Sequence, residues 1–259
     1  MTLALGAAYR ARLAQARNVP PLEPRVPLWA GDARIGSVEA HFFARLALPA
    51  GVVREHAGGW QVLGDATRSL DAIAHAMRHA GLARKWRDEQ LAVTDESGRT
   101  VASIERAAVR ALGITTFAVH MAGVAPDGRH WVQQRSFKKP NDPGLWDTLM
   151  GGLIAAGESL ELALERETLE EAGLRTKQLQ RVAHGGRMLT HRPSRDGACG
   201  YIVEWIDWFR CVVPDGVVPS NLDGEVERFE LIDSAQLVQR LESEEFTLEA
   251  ALVLTESAR

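Results

Sequence analysis

The sequence has little cysteine, no excess of basic charge and no long apolar run. Its 259 residues include two cysteines, Cys199 and Cys211, and neither belongs to a Cys-X-X-Cys pair or lies near a histidine pair at zinc-like spacing. We therefore expect two buried thiols in a reducing compartment. The formal net charge of −4 argues against general nucleic-acid binding, which normally requires a basic surface.

No apolar stretch is long enough to span a bilayer. Near the N-terminus the arginines follow a short apolar run instead of preceding it, which reverses the order found in a secretory signal. These absences predict a cytoplasmic protein with no membrane and no nucleic-acid partner. The composition, 46% hydrophobic and 25% charged, is typical of a soluble globular chain, and the length allows one large domain or two small ones.

The first half of the chain consists of short predicted elements separated by turn residues. Segment 2–17 is helical in character and is ended by the proline-rich segment 18–27. Gly31-Asp32 and residues 96–98 each predict the turn of a hairpin. The apolar spacing within 69–80 predicts another helix.

The second half begins where the pattern changes, near Gly113. Two β-prone runs flank a turn at Pro126-Asp127-Gly128, and one long helix is predicted over 151–174. Further predicted elements are strands within 201–213 and 225–232 and helices over 233–241 and 246–255. We therefore predict two packed domains, residues 1–112 and residues 113–259.

The long predicted helix concentrates glutamates on one side. At about 100° of rotation per residue, one face collects six side chains: Leu160, Ala163, Leu164, Glu167, Glu170 and Glu171. Leu162 and Leu169 predict a second covered face. Three carboxylates that continue an apolar stripe would lose solvation and repel one another, and a hard divalent cation such as Mg²⁺ or Mn²⁺ would compensate for their charge. Such an ion would also attract a phosphate.

These residues match the Nudix box, G-x5-E-x7-R-E-U-x-E-E-x-G-U, where U is a bulky aliphatic residue. The fixed positions are Gly152, Glu158, Arg166, Glu167, Glu170, Glu171 and Gly173, with Leu174 at the last U. Thr168, which is β-branched, stands at the first U. The chain therefore resembles the Nudix hydrolase superfamily. The resemblance implies an α/β/α sandwich with a mixed β-sheet for 113–259, with the box forming loop–helix–loop, preceded by a smaller α+β domain.

The resemblance also implies roles at the matched positions. Glu167, Glu170 and Glu171 would be metal ligands, and either Glu170 or Glu171 would be the base for the attacking water. Arg166 would pair with Glu158 and orient the glutamates. A backbone carbonyl of Gly151 or Gly152 would also reach the metal, since glycine lets the backbone approach closely. The implied reaction is attack of water on a diphosphate, with the metal stabilising the developing charge.

Outside the box, further residues are candidates for the same site. Glu225 would be a late acidic ligand or base, and Arg135, Lys138 and Lys139 form a basic patch suited to a substrate phosphate. Trp131 and Trp146 are expected in the core, although either could stack on a substrate ring. No motif includes His120, His184 or His191, and we expect them to be structural.

The substrate prediction depends on a second resemblance. Residues 28–40, 85–93, 102–124 and 135–152 resemble the thiamine pyrophosphokinase-related Nudix hydrolases with an extra N-terminal domain. This resemblance implies metal-dependent hydrolysis of thiamine diphosphate, or of its oxidised or damaged analogues, to the monophosphate and phosphate. One alternative is a pyrophosphatase for a nucleoside diphosphate derivative such as ADP-ribose. A non-catalytic Nudix ligand sensor is disfavoured because all three glutamates and Arg166 are present. Monomer and homodimer both remain open.

Overall fold

The computed structural model of the chain describes residues 3–83, 85–139, 141–194 and 200–258. Cys199, predicted to be a buried thiol, lies outside the described residues. The α-helices are α1 (Ala7–Ala16), α2 (Ala66–His79), α3 (Leu160–Ala172), α4 (Ser234–Glu242) and α5 (Leu248–Ser257). The strands are β1 (Arg25–Ala30), β2 (Ala33–Glu39), β3 (Val53–His56), β4 (Gly59–Val62), β5 (Gln90–Thr94), β6 (Thr100–Glu105), β7 (Thr115–Val124), β8 (His130–Arg135), β9 (Trp146–Asp147), β10 (Met150–Leu153), β11 (Gln180–Pro193), β12 (Tyr201–Val212) and β13 (Val226–Ile232). Short 3-10 turns cover Phe43–Arg45, Arg106–Ala108 and Thr176–Gln178.

The second half is built around one seven-stranded mixed sheet. Its main order is β11-β12-β7-β8-β13, and β12 runs parallel to β7 while the other neighbours are antiparallel. The short strand β10 pairs with the middle of β7, and β8 pairs with the last two residues of β7. This splaying places β10 at the centre of the sheet, under helix α3.

Helices cover both faces of this sheet because the side chains of β7 alternate between them. Val119 and Met121 belong to a core shared with α3, whereas Ala118 and Ala122 belong to a core shared with α4 and α5. The α/β/α sandwich and the mixed sheet predicted from the sequence are therefore confirmed.

The first half forms a four-stranded sheet, β2-β1-β4-β3, and a separate hairpin of β5 and β6. The hairpin turn predicted at Gly31 is present, and Gly31 has a φ of 57°, in the left-handed region that favours glycine. Helix α2 buries the apolar face predicted from its spacing, including Ile73 and Met77. One core contains residues from these strands and α2, and it extends to Ile114.

Helix α1 packs into a core of the second half of the chain. Leu3, Leu5, Tyr9 and Leu13 belong to the same core as α4 and α5. The division at residue 112 therefore stays a prediction, but the N-terminal helix lies on the second half of the molecule.

Two local predictions need correction, and one strand has no predicted counterpart. Residues 151–153 belong to strand β10 and the helix begins at Leu160, where the side chain of Ser159 accepts a hydrogen bond from the Leu162 amide. Leu162 is 61% exposed, so the second covered helix face is wrong. The long strand β11 was not predicted, because its sequence is polar and contains Gly185 and Gly186.

Cys211 is a buried free thiol, and burial raises its pKa to about 12. Within the part of the chain that the structure describes, the helices are all too short or too polar to cross a membrane.

Candidate active site

Glu171 is the most deeply buried carboxylate of the box, at 2% exposure. Its Oε2 accepts hydrogen bonds from the Gly151 amide at 2.9 Å and from Nε2 of Gln133 at 2.7 Å, and its Oε1 accepts one from Nζ of Lys139 at 3.1 Å. Strands β8 and β10 thus fix this side chain from below. Hydrogen bonds to a carboxylate, particularly from a cation, compensate for the solvation lost on burial.

Glu167 reaches the sheet because strand β10 has a glycine beneath it. A Cβ built on Gly152 would lie 2.0 Å from the carboxyl carbon of Glu167, so no larger residue fits without moving that carboxylate. The neighbouring Gly151 faces the opposite side, where a Cβ would meet the ring of His120 at 2.5 Å. Each glycine of the pair is therefore required by a different layer of the sandwich.

Arg166 holds the box together. Its Nε and Nη2 each donate to one oxygen of Glu158 at 2.8 Å, and Nη1 donates to Glu167 at 2.7 Å and to Glu170 at 3.1 Å. Nη2 also donates to the carbonyl of Leu153 in β10. The pairing of Arg166 with Glu158 that the resemblance implied is present. The hydrogen bonds of Glu158 are the main cause that raises the pKa of Arg166 further above its usual value.

Lys139 links the box to the late acidic residue Glu225. Its Nζ lies 2.6 Å from Oε2 of Glu225 and 3.1 Å from Oε1 of Glu171, and its side chain is largely buried. Burial acts to raise the pKa of Glu225, but the charges of Lys139, Arg87 and Arg106 outweigh it and leave that pKa below its usual value. The structure thus brings Glu225 beside the box glutamates.

Glu167 shows most clearly the repulsion between the glutamates of the box. Burial, followed by the negative charge of Glu171, raises its pKa from 4.5 to about 7, although Arg166 acts in the opposite direction. Ionisation of this carboxyl group is therefore less favourable here than in water. A further positive charge beside it would relieve this cost.

The oxygen atoms gathered at the site are of the kind that bind a hard divalent ion. Carboxylate oxygens are the ligands that Mg²⁺ and Mn²⁺ prefer, and the buried Oε1 of Gln133, beside Glu171, has no hydrogen-bond partner. In this conformation Arg166 and Lys139 provide the compensating charge. Among the described residues, no three acidic, histidine or cysteine side chains are arranged to hold an ion directly.

The other predicted candidates occupy different environments. Arg135 is mostly buried and donates to Asp147 of β9 at 3.0 Å and to the carbonyl of Asn141 at 3.1 Å, so it orders the loop that follows β8. Lys138 is exposed. Trp146 is buried in the core and has Arg240 over its ring, 4.4 Å from the centroid, while Trp131 packs against the α3 core.

The three histidines that we expected to be structural each have a defined contact partner away from the glutamates of the box. His120 is buried and its Nδ1 lies 3.1 Å from the hydroxyl of Thr148. His184 lies 2.9 Å from Asp207, and the ring of His191 lies against Tyr201. Each histidine contacts its own neighbours, and none of these contacts is with a box glutamate.

Sequence reasoning missed two residues at the site. Gln133 contacts Glu171 from strand β8, and Arg87 from the first half lies 3.8 Å from Glu225. The alternation of β8 places Gln133 on the same face as Trp131, which could have indicated its direction. Arg87 has no such signal, because 138 residues separate it from Glu225 along the chain.

Comparisons with known proteins agree with this geometry. A model of the NUDIX domain matches residues 115–252, more than half of the chain, and the chain therefore belongs to the Nudix family. Nudix hydrolase 20, chloroplastic, from Arabidopsis thaliana is 31% identical over 194 residues, which is 70% of this chain and 49% of that relative. Nudix hydrolase 24, chloroplastic, from the same plant is 34% identical over 146 residues, 52% of this chain and 37% of that relative. This chain thus spans about half the length, or less, of these two relatives.

Among solved structures, DR0079 from Deinococcus radiodurans has a TM-score of 0.52 at 21% identity, and the match covers 64% of this chain and 98% of that one. At this identity the likeness shows the fold alone. The finer resemblance to thiamine pyrophosphokinase-related Nudix hydrolases stays a prediction, because none of these names carries it.

Proposed function

We propose that this chain hydrolyses a diphosphate linkage in a small organic diphosphate with the help of a divalent metal. The observation that carries the proposal is the gathering of Glu167, Glu170 and Glu171 above strand β10, oriented by Arg166 and Glu158. These three glutamates, with a carbonyl of Gly151 or Gly152, would hold Mg²⁺ or Mn²⁺. The bound ion would supply positive charge to the diphosphate oxygens.

The protein groups divide into anchoring and reactive ones. All the hydrogen bonds of Glu171 described above anchor it to the sheet and to Lys139, and it is nearly inaccessible. Glu170 is 46% exposed in its side chain and is held by Arg166 on one oxygen. Exposure therefore favours Glu170 over Glu171 as the group that takes a proton from the attacking water, since a base must reach its water. Glu225 is a further candidate for this role.

The basic residues beside the box are suited to the substrate phosphates. Lys139 already lies between two carboxylates, and Lys138 is exposed next to it. Arg135, which is bound to Asp147, would act by ordering their loop. Phe137, 65% exposed, offers a ring face two residues from Lys139. A cationic thiazolium ring would be attracted to such a face.

The substrate we propose is thiamine diphosphate or one of its oxidised or damaged analogues. The support for it is the resemblance of the first half of the chain to the thiamine pyrophosphokinase-related Nudix hydrolases. The test is a hydrolysis screen with Mg²⁺ in which mass spectrometry identifies the products. The panel holds thiamine diphosphate, its oxidised analogues, ADP-ribose, dinucleotides and nucleoside triphosphates. Fastest release of phosphate from a thiamine compound would support the proposal. Preference for ADP-ribose or a nucleotide would contradict the thiamine substrate but would still support metal-dependent diphosphate hydrolysis.

The glutamate roles are tested by Glu171→Gln in the same screen. We expect turnover to fall by roughly a hundredfold or more, because one metal ligand and its charge are lost. Glu161→Gln is the matched control, since Glu161 lies in the same helix with an exposed side chain. Wild-type turnover by Glu171→Gln, or equal losses in both variants, would contradict the assignment.

A further inference from the structure

The first half of the chain reaches the active site through the turn that precedes strand β5. The carbonyl of Gln90 accepts a hydrogen bond at 2.8 Å from the amide of Ala156, in the loop between β10 and α3. Three residues earlier, Nη1 of Arg87 lies 3.8 Å from Oε1 of Glu225. The first residue of β5 therefore contacts the loop of the box, and Arg87, just before that strand, lies beside the late acidic residue.

A buried carboxylate fixes the backbone at Arg87. Glu105, at 1% exposure, accepts hydrogen bonds from the amides of Arg87 at 2.9 Å, Ala107 at 3.1 Å and Glu89 at 3.2 Å. Between the first and last of these, Asp88 has a φ of 54°, in the left-handed region. Such a conformation persists only where surrounding contacts impose it. The position of Arg87 is thus set by the fold and does not depend on its own side-chain contacts.

The side chain of Arg87 keeps capacity for a ligand. It is 37% exposed, and its contact with Glu225 is longer than a hydrogen bond. Arg106 nearby is already bound to Glu89 at 2.7 Å. Lys139 lies on the other side of Glu225, so the two cations flank one carboxylate at the edge of the site.

An anionic substrate needs such cations here. The box glutamates repel phosphate, and the chain as a whole is negatively charged. A guanidinium binds phosphate oxygens in a bidentate manner that a single ammonium cannot reproduce. We infer that Arg87 is a substrate-recognition residue, contributed by the first half of the chain, that binds a phosphate group of the substrate at the Glu225 edge of the Nudix site.

This inference deepens the proposed function, and its test must separate the two. The probe is imidodiphosphate with Mg²⁺, whose P–N–P bridge resists hydrolysis, titrated calorimetrically into full-length protein. Because binding is measured without turnover, the result does not depend on which diphosphate is the natural substrate.

The variants are Arg87→Gln, Arg87→Lys and Arg34→Gln. Arg34 is the matched control, because it is a half-exposed arginine of the first half that lies 3.7 Å from a carboxylate, Glu96, in the turn at the far end of β5. Arg87→Gln should keep its fold, because Glu105 accepts its hydrogen bonds from backbone amides, which the substitution does not remove. Thermal melting verifies this. We expect Arg87→Gln to weaken imidodiphosphate binding about tenfold, Arg87→Lys to weaken it less, and Arg34→Gln to bind as the wild type does.

The kinetic test uses whichever compound of the hydrolysis panel is turned over. Arg87→Gln should raise its KM about tenfold, as for imidodiphosphate binding, and change kcat by no more than about twofold. This pattern is expected of a group that binds the substrate and the transition state equally well. Wild-type affinity in Arg87→Gln, an equal loss in Arg34→Gln, or no binding by the unsubstituted protein would overturn the inference. Binding that depends on Arg87 in a protein that hydrolyses no panel compound would instead overturn the proposed function and keep the inference.

Discussion

At the scale of single residues, the site is a problem of compensating like charges. Five carboxylates form ion pairs with two cations. Arg166 pairs with three glutamates of the box, and Lys139 pairs with Glu171 and Glu225. Glu167 is the least well compensated, since the pKa of its buried carboxyl is raised to about 7. Its ionisation therefore stores unfavourable free energy that a bound metal would release.

This gives a pH-dependent stability. The pKa of Glu167 is higher in the folded protein than the ordinary 4.5, so the protonated form favours folding, and its contribution is complete below pH 4.5 and is lost as the pH rises to about 7. The shift corresponds to a loss on the order of 3 kcal/mol. In EDTA, Glu167→Gln should therefore gain stability relative to the wild type across this interval. Urea unfolding from pH 4.5 to 8 measures the difference, and a difference independent of pH would contradict it.

At the scale of elements, helix α3 depends on strand β10 as much as on its own sequence. Ser159 caps its first turn, and Gly173, with a φ of 64°, caps its C-terminus. Its acidic face can approach the sheet because Gly152 leaves room for Glu167. Thr168, at a position where the box has an aliphatic residue, is fully buried and satisfies its hydroxyl on the carbonyl of Leu164 within the helix. The departure from the pattern is accommodated locally.

The buried face of α3 can be tested with two leucines. Leu162 is exposed and Leu164 is buried at 5%. Leu164→Ala should lower the free energy of unfolding by about 2–4 kcal/mol because it leaves a cavity, whereas Leu162→Ala should change it by about 0.5 kcal/mol or less. Chemical denaturation measures both. A comparable loss in the two variants would restore the second covered face that the spacing suggested.

At the scale of the whole molecule, the order of the chain and the order of the cores differ. Helix α1 is the first element, yet it is buried with α5, the last one. Strands β1 to β6 and helix α2 form a core of their own between them in sequence. The second half of the molecule is therefore completed by the N-terminus of the chain.

Hydrogen exchange can test this arrangement. Leu13→Ala in α1 should increase exchange of the α5 amides and leave α2 protected, because α1 packs on α5. Leu70→Ala in α2 is the counterpart, and it should increase exchange in α2 and leave α5 protected. Mass spectrometry of peptides from the full-length chain reports both regions. Faster exchange in α2 caused by Leu13→Ala would show that the two cores are not independent.

Features that depend on short spacing along the chain follow from the sequence alone. The box predicted the Nudix fold and the pairing of Arg166 with Glu158, because this contact lies within one loop and one helix. Helix α2, the hairpins and the closing helices also follow from local periodicity and turn residues. These predictions required no knowledge of distant contacts.

Other features depend on contacts between residues that are far apart in the sequence. Leu162 matches an apolar pattern and yet remains exposed, because burial depends on what another element brings to that face. Strand β11 has a polar sequence and is held by its pairing with β12. Gln133 contacts Glu171 and Arg87 lies beside Glu225, in each case across a long separation in sequence. Charge compensation acts through space, so the spacing of residues along the chain could not reveal these partners.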